Sequence, residues 1–385
     1  MTGLNADSAL AAVRSVADVE RAAASVLPAD VRDFVAGGSG GEVTLDANRA
    51  GLDRVLLVPR VLRDVSACTT TSTLLGRPVT LPMAVAPVAY QRLVHPDGEL
   101  AAGRAAAAAG VPFIASTLSS VPIEQIAAVG GSVWFQLYWL QSTTETLDLV
   151  RRAEEAGCEA IVLTVDVPWM GRRLRDIRNG FALPEHVRAA NITTGTTAHR
   201  QRAHTSAVAD HTRQTFTSAL TWASVAQLRR HTRLPVILKG ILAPEDALRA
   251  IEFGVDAIVV SNHGGRQLDG AVASIDALED VVAAVNGSCE VLLDSGIRSG
   301  TDVLRAIALG ASGVLIGRPF VWGLAVGGEN GVRQVLDLLA AEFRDALGLS
   351  GCDSVTAARE LRTTRTGPRR PDRPAVDGVT ATARV

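Results

Sequence analysis

The run SNHGGRQLDG, Ser261 to Gly270, sets an imidazole (His263) and a guanidinium (Arg266) on either side of two glycines that let the backbone turn sharply. An imidazole accepts a proton near neutral pH, and a guanidinium grips a carboxylate through paired, charge-assisted hydrogen bonds. The segment TVDVPWMGRRLRDIRNG adds a carboxylate, Asp166, and a second guanidinium, Arg173. A carboxylate bonded to an imidazole fixes its tautomer and raises its proton affinity, which a base removing a hydroxyl proton needs. Together these residue types describe proton abstraction from a substrate that carries a carboxylate. Each also has an ordinary use: His263 as a solvated loop residue, the arginines as a basic face, Asp166 as a helix cap or loop ion pair.

Two further stretches, DSGIRSG (Asp294 to Gly300) and IGRP (Ile316 to Pro319), place Arg298 and Arg318 beside glycines whose backbone N–H groups would be open to a phosphate. Alone they are weak signals, because any tight turn after a strand favours glycine. Lys239 is the only lysine in the chain. A lysine kept among arginines implies a need for a compact ammonium, either as a fixed positive charge or as a Schiff-base nucleophile.

The elements that must carry these groups can be read from periodicity. Short apolar runs recur at MAVAP (83–87), PFIAS (112–116), VWFQLY (133–138), AIVLTVD (160–166), PVILKG (235–240), AIVVSN (257–262), EVLLD (290–294) and GVLIG (313–317). Amphipathic helical patterns lie between most of them, and a recurring helix–Gly–strand unit ends at Gly157, Gly254 and Gly310. Continuous apolar strands covered by helices imply a parallel sheet, and eight such units imply a (β/α)8 TIM barrel whose chemistry sits at the C-terminal strand ends. His263, Asp166 and Lys239 then fall at the ends of strands 6, 4 and 5. An open doubly wound sheet is the runner-up, but no strand is followed by G-x-G-x-x-G, and GGSGG (37–41) reads as a turn.

The expected organisation is an N-terminal helical extension (1–81) packed on a catalytic barrel (82–362), followed by a flexible tail rich in Pro, Arg and Thr (363–385). Within the barrel the Thr-, Ala-, His- and Arg-rich segment 184–221 follows strand 4 and reads as a long mobile loop or lid on the catalytic face. With 47% apolar and 20% charged residues and a net charge of −2, the chain reads as globular, with no nucleic-acid or membrane partner. The four cysteines form no C-x-x-C pair, so no metal site or disulfide framework is expected and a cytoplasmic setting fits. Charged residues interrupt the leading alanine-rich stretch, and no apolar run is long enough for a spanning helix.

The run S-N-H-G-G-R-Q-L-D, with APVA, FQLY, TVD, GRR, LKG, GIRSG and IGRP in this order, resembles the FMN-dependent 2-hydroxy-acid oxidases and dehydrogenases over roughly residues 15–360. PVAYQRL, TVDVPWMGRRLRD and RNGFALP resemble its actinobacterial members that oxidise mandelate and 4-hydroxymandelate. The resemblance implies that FMN is held by Pro87, Val88, Ala89, Ser116, Gln136, Thr164, Lys239, Ser261, Asp294, Gly296, Arg298, Gly317 and Arg318. It implies His263 as base, supported by Asp166, with Arg173 and Arg266 clamping the substrate carboxylate and Tyr138 bonding the substrate oxygens. Lys239 would then act electrostatically, stabilising the anionic reduced flavin.

Phe34 stands where many members have tyrosine, and Leu118 where glycolate oxidases have tryptophan. With Met170 these changes give a less polar, roomier pocket suited to an aryl substituent. Ser295 replaces a usual glycine, and would cost stability or loosen FMN if its φ must be positive. The resulting expectation is oxidation of an aromatic S-2-hydroxy acid to the 2-keto acid, with O2 reduced to H2O2, by a homotetramer. Three rivals stay open: a soluble dehydrogenase using another acceptor, a smaller substrate such as lactate or glycolate, and a Schiff-base lyase using Lys239.

Overall fold

In a computed structural model that describes residues 10–192 and 206–366, eight parallel strands close into a barrel. In chain order, barrel strands 1 to 8 are Met83–Val85, Phe113–Ser116, Val133–Leu137, Ile161–Thr164, Val236–Ile241, Ala257–Val260, Glu290–Leu293 and Gly313–Ile316. Every apolar run read as a strand forms one, and strand 8 pairs with strand 1 to close the ring.

The two-residue side-chain period of a strand explains how one sequence builds both core and site. Ile114, Trp134, Val162, Ile237, Val259, Leu292 and Leu315 form an apolar cluster with Ala84 inside the barrel. Two residues further along the same strands, on the same face, stand Ser116, Gln136, Thr164, Lys239, Ser261, Asp294 and Gly317. The apolar layer fills the barrel and the next layer up is polar. Pairing registers hold that upper layer level, with Ser116 opposite Gln136 and Thr164 opposite Lys239.

The N-terminal extension contains the helices Val16–Val26, Ala29–Ala36 and Val43–Arg54. It is not wholly helical: Ser72–Leu74 and Arg77–Val79 form a hairpin whose Leu74 and Val79 join the inner apolar cluster. Val55–Leu57 pairs antiparallel with Thr363–Arg365, so the expected tail begins with a paired strand. The rest of that tail, from residue 367, lies outside the described residues. In the segment 184–221, Ala207–Thr215 is a helix, while 193–205 lie outside the described residues. Its Thr-rich composition hid the helix, because threonine has modest helix propensity.

Candidate active site

One cavity occupies the C-terminal mouth of the barrel, with about 1320 Å³ of space not filled by atoms, counting the part that opens to solvent. Of the residues singled out from sequence, Phe34, Pro87, Val88, Ala89, Ser116, Leu118, Tyr138, Met170, Arg173, Lys239, His263, Arg266, Asp294, Gly296, Arg298, Gly317 and Arg318 line it. Asp166, Gln136, Thr164 and Ser261 stand behind this lining, each bonded to a lining residue or to another of the four.

His263 Nδ1 lies 3.0 Å from Asp166 Oδ1. With the proton on Nδ1 directed at the carboxylate, Nε2 keeps its lone pair. Burial, together with the nearby cations Lys239 and Arg173, holds the imidazole below its ordinary pKa against the opposing pull of Asp166. A neutral imidazole with one free lone pair is a base ready for use. The other carboxylate oxygen, Asp166 Oδ2, is buried and has no hydrogen-bond partner among the described residues.

The backbone is shaped to bring this pair together. Gly240 adopts φ +116° at the irregularity in strand 5, and a Cβ there would sit 2.6 Å from Asp166 Cβ. His263 itself has φ +59°, in the left-handed region that a residue with a side chain rarely visits. Gly265 follows at φ +74°, where a Cβ would meet the Leu45 backbone at 2.6 Å. Asn262 closes the turn by accepting from Gly265 N at 3.0 Å, and exchanges two side-chain hydrogen bonds with Asn48 of the extension, at 2.9 and 2.7 Å. Gln267 donates to the carbonyls of Asp166 and Trp169 at 2.9 and 3.0 Å, which ties the strand-4 loop to the strand-6 loop.

The two arginines expected to hold a substrate carboxylate share one aromatic support. Arg266 and Arg173 lie 5.3 and 5.9 Å from the Phe34 ring centroid, and that ring stacks on Phe181 at 4.4 Å. Arg266 Nη1 donates to the carbonyls of Phe34 and Gly37, both at 2.8 Å. The GGSGG turn is therefore more than a connection, since Ser39 N and Gly40 N also donate to the carbonyls of Gly265 and Arg172. Burial and the nearby Arg266 push the Arg173 guanidinium down to about 9.

On the other side of the cavity, Lys239 Nζ lies 2.8 Å from Asp294 Oδ2 and 3.0 Å from Ser261 Oγ. Burial alone would lower the Lys239 pKa, but Asp294 raises it above the ordinary value. An ammonium held charged in this way serves as a fixed cation and is a poor Schiff-base nucleophile, which needs the free amine. Arg318 donates to the carbonyls of Val35, Gly264 and Gly37, and Arg298 packs 4.8 Å from the Trp322 ring. Among the described residues neither forms an ion pair. Burial and neighbouring guanidiniums hold Arg318 well below its ordinary pKa.

Ser295 does have positive φ, at +88°, as its replacement of a glycine led us to suspect. Its hydroxyl offsets part of that strain by accepting from Gly264 N at 2.9 Å. Sequence reasoning set the segment after strand 4 on the catalytic face but named none of the residues by which it walls the cavity. Val208, Thr212 and Phe216 line the cavity, and Phe216 stacks on Tyr138 at 4.4 Å. Their helix lies far along the chain from any motif, so no local signal marked them. Tyr90 and Gln267 sit inside quoted motifs, yet only their neighbours were assigned.

A closed parallel barrel with a His–Asp pair and a cluster of half-buried arginines that form no ion pair among the described residues at its C-terminal mouth defines an enzyme built to hold an anionic cofactor beside an anionic substrate. The profile of the FMN-dependent dehydrogenases matches residues 23–364. The chain is 65% identical over 349 residues to a 4-hydroxymandelate oxidase from Amycolatopsis orientalis, covering 91% of this chain and 98% of the relative. It is 49% identical over 329 residues to an L-lactate oxidase from a Nostoc species, covering 84% and 90%. The crystal structure of mandelate oxidase with (S)-4-hydroxymandelic acid superposes with a TM-score of 0.90 at 64% identity, covering 92% of this chain and 99% of that one. The chain belongs to the FMN-dependent dehydrogenase family.

Proposed function

We propose that the protein oxidises an aromatic S-2-hydroxy acid of the mandelate type to the 2-keto acid, with O2 reduced to H2O2. The observation that carries this reading is the neutral His263, paired with Asp166, opening on the same cavity as Arg173 and Arg266. A proton acceptor and a carboxylate clamp on one cavity are what a 2-hydroxy acid requires.

The donor set suits FMN. Arg298 and Arg318 are half-buried cations that pair with no carboxylate among the described residues, an imbalance that a phosphate dianion would relieve, and Gly296 and Gly317 leave the backbone beside them open. Arg49 donates to the Gly296 carbonyl and pairs with Asp302 at 2.7 Å, while Asp302 accepts from Arg298 N at 3.0 Å, so the phosphate loop is fixed from below. Lys239 and Ser116 would meet the polar edge of the ring, supported from behind by Ser261, Gln136 and Thr164, with Pro87, Val88 and Ala89 against its face. When bound, FMN supplies the two-electron acceptor.

In this reading Arg173 and Arg266 hold the substrate carboxylate, and the phenol of Tyr138, kept protonated by burial, donates to a substrate oxygen. Nε2 of His263 takes the proton of the 2-hydroxyl. Asp166 stabilises the imidazolium that results. Leu118, Met170 and Phe216 give the substituent an apolar wall, which recovers roughly 25 cal/mol per Å² of ring buried. The segment around Ala207–Thr215 acts as a cover for this wall. No described helix is long and apolar enough to cross a membrane, and the cysteines are free, which supports a cytoplasmic enzyme.

Peroxide release assayed aerobically on glycolate, lactate, mandelate and 4-hydroxymandelate tests the proposal. The aryl acids should give the highest kcat/KM. Anaerobic bleaching by mandelate without peroxide in air would favour a dehydrogenase with another acceptor, and a preference for lactate or glycolate would remove the aryl assignment.

A further inference from the structure

His263 reaches the cavity from a turn that an ordinary chain avoids. His263, Gly264 and Gly265 take φ of +59°, +65° and +74°, all in the left-handed region. A residue with a side chain persists there only where its surroundings hold it. Here a side-chain oxygen meets each N–H of the run. Ser261 Oγ accepts from His263 N at 3.0 Å, Ser295 Oγ from Gly264 N at 2.9 Å, and Asn262 Oδ1 from Gly265 N at 3.0 Å. Ser261 and Asn262 directly precede the turn. Ser295 comes from the loop after strand 7, the loop that also carries Asp294, Gly296 and Arg298.

Ser295 is itself buried where a side chain is unwelcome. Its φ of +88° is one that glycine takes freely and serine does not. Glycine at this position would remove the strain and the hydroxyl together, so the hydroxyl is what the strained backbone keeps in place. The bond it makes falls next to the base. The Gly264 N–H belongs to the peptide unit attached to the His263 Cα, so fixing it fixes the direction in which the imidazole leaves the backbone, towards Asp166 at 3.0 Å. From the other side, Arg318 Nη1 donates to the Gly264 carbonyl at 3.0 Å. Gly264 is thus gripped at both its polar groups, and both grips come from loops that would hold the flavin phosphate.

We propose that Ser295 is a positioning residue whose hydroxyl locks the left-handed turn that aims the His263 imidazole and ties that turn to the phosphate loop, so that base and cofactor keep one spacing. This rests on the reading of His263 as the base that takes the proton of a 2-hydroxyl. Proton abstraction depends steeply on placement, and a shift of about 1 Å caused by a change outside the reacting groups is enough to slow it.

Two variants separate the hydroxyl from the strain. Ser295→Gly removes both, whereas Ser295→Ala keeps a side chain at positive φ without the oxygen. Each is saturated with FMN and reduced anaerobically by the 2-hydroxy acid that the wild type oxidises fastest, and the FMN affinity, the thermal midpoint and the dissociation constant of a carboxylate inhibitor are measured alongside. At saturating substrate both variants should reduce the flavin about tenfold more slowly than the wild type, the scale of a misplaced reacting group. Inhibitor binding should stay at the wild-type value, because the guanidiniums that hold it are untouched. Ser295→Gly should melt higher than Ser295→Ala, since only the alanine retains the strain. Rates that follow this melting order, normal in Ser295→Gly and slow in Ser295→Ala, overturn the proposal in favour of stability alone. Normal reduction once FMN is saturating, with only FMN affinity weakened, overturns it in favour of cofactor binding, and an equal loss of inhibitor affinity overturns it as general distortion. If no 2-hydroxy acid bleaches the wild type, the reading of His263 fails instead, and the wild-type trace alone tells the two failures apart.

Discussion

The chemistry of single residues turns on a neutral imidazole. Because burial holds His263 below its ordinary pKa of 6.5, kcat/KM should rise with pH along a limb whose midpoint lies under 6.5. Asp166 is the group that raises this pKa. Asp166→Asn should therefore move the limb to lower pH and reduce the maximal rate by roughly 10²- to 10⁴-fold, the range of a positioned general base. A limb that stays in place, measured by stopped-flow flavin reduction across pH, would detach Asp166 from the base. His263→Ala should keep the yellow colour and lose anaerobic bleaching by mandelate; retained bleaching would reassign proton removal. Arg266→Lys gives up two carbonyl contacts and the paired geometry, and should weaken binding of a carboxylate inhibitor by roughly 1.5 to 3 kcal/mol. An unchanged dissociation constant would take Arg266 out of the clamp.

Loops and strands decide whether those residues meet. Gly240→Ala would force a Cβ against Asp166 at a φ that disfavours side chains. Both kcat and the thermal midpoint should fall, with a stability loss of roughly 1–3 kcal/mol. A normal pH profile in that variant would show that Asp166 has room to move. The strands were legible from sequence because a buried parallel strand is written as a run of β-branched residues, as in AIVLTVD and AIVVSN, and the residues after each run are where a barrel places its chemistry. Much less was legible where contact depends on distant packing. Nothing near Phe216 announces a partner at Tyr138. GGSGG looks like any turn until Gly37 and Ser39 are seen to bond the strand-6 loop, and Thr363–Arg365 looks like tail until it pairs with Val55–Leu57.

At the scale of the molecule, an array of half-buried, like-charged guanidiniums costs stability until an anion balances it. Adding FMN to the stripped protein should raise the thermal midpoint in a concentration-dependent way, by about 2.7 kcal/mol of stabilisation at 100 times Kd. Phosphate alone should give a smaller part of the shift, and no response to FMN would contradict the cofactor assignment. Val61, Leu62 and Leu349 are large apolar residues on the surface, 81%, 102% and 82% exposed, near the contact between Arg60 N and the Ser350 carbonyl. Such a patch suits self-association. Light scattering should report a homotetramer, and Leu62→Glu should shift it towards smaller species.

The carbonyls that orient Arg266 and Arg318 belong to Phe34 and Gly37, 232 and 281 residues away along the chain. During synthesis the segment that completes the catalytic mouth emerges from the ribosome early and must wait for strands 6 to 8 to follow it. Flavin capture is thus confined to the finished polypeptide. A product cut off at its leading edge would lack the carbonyls that aim its arginines.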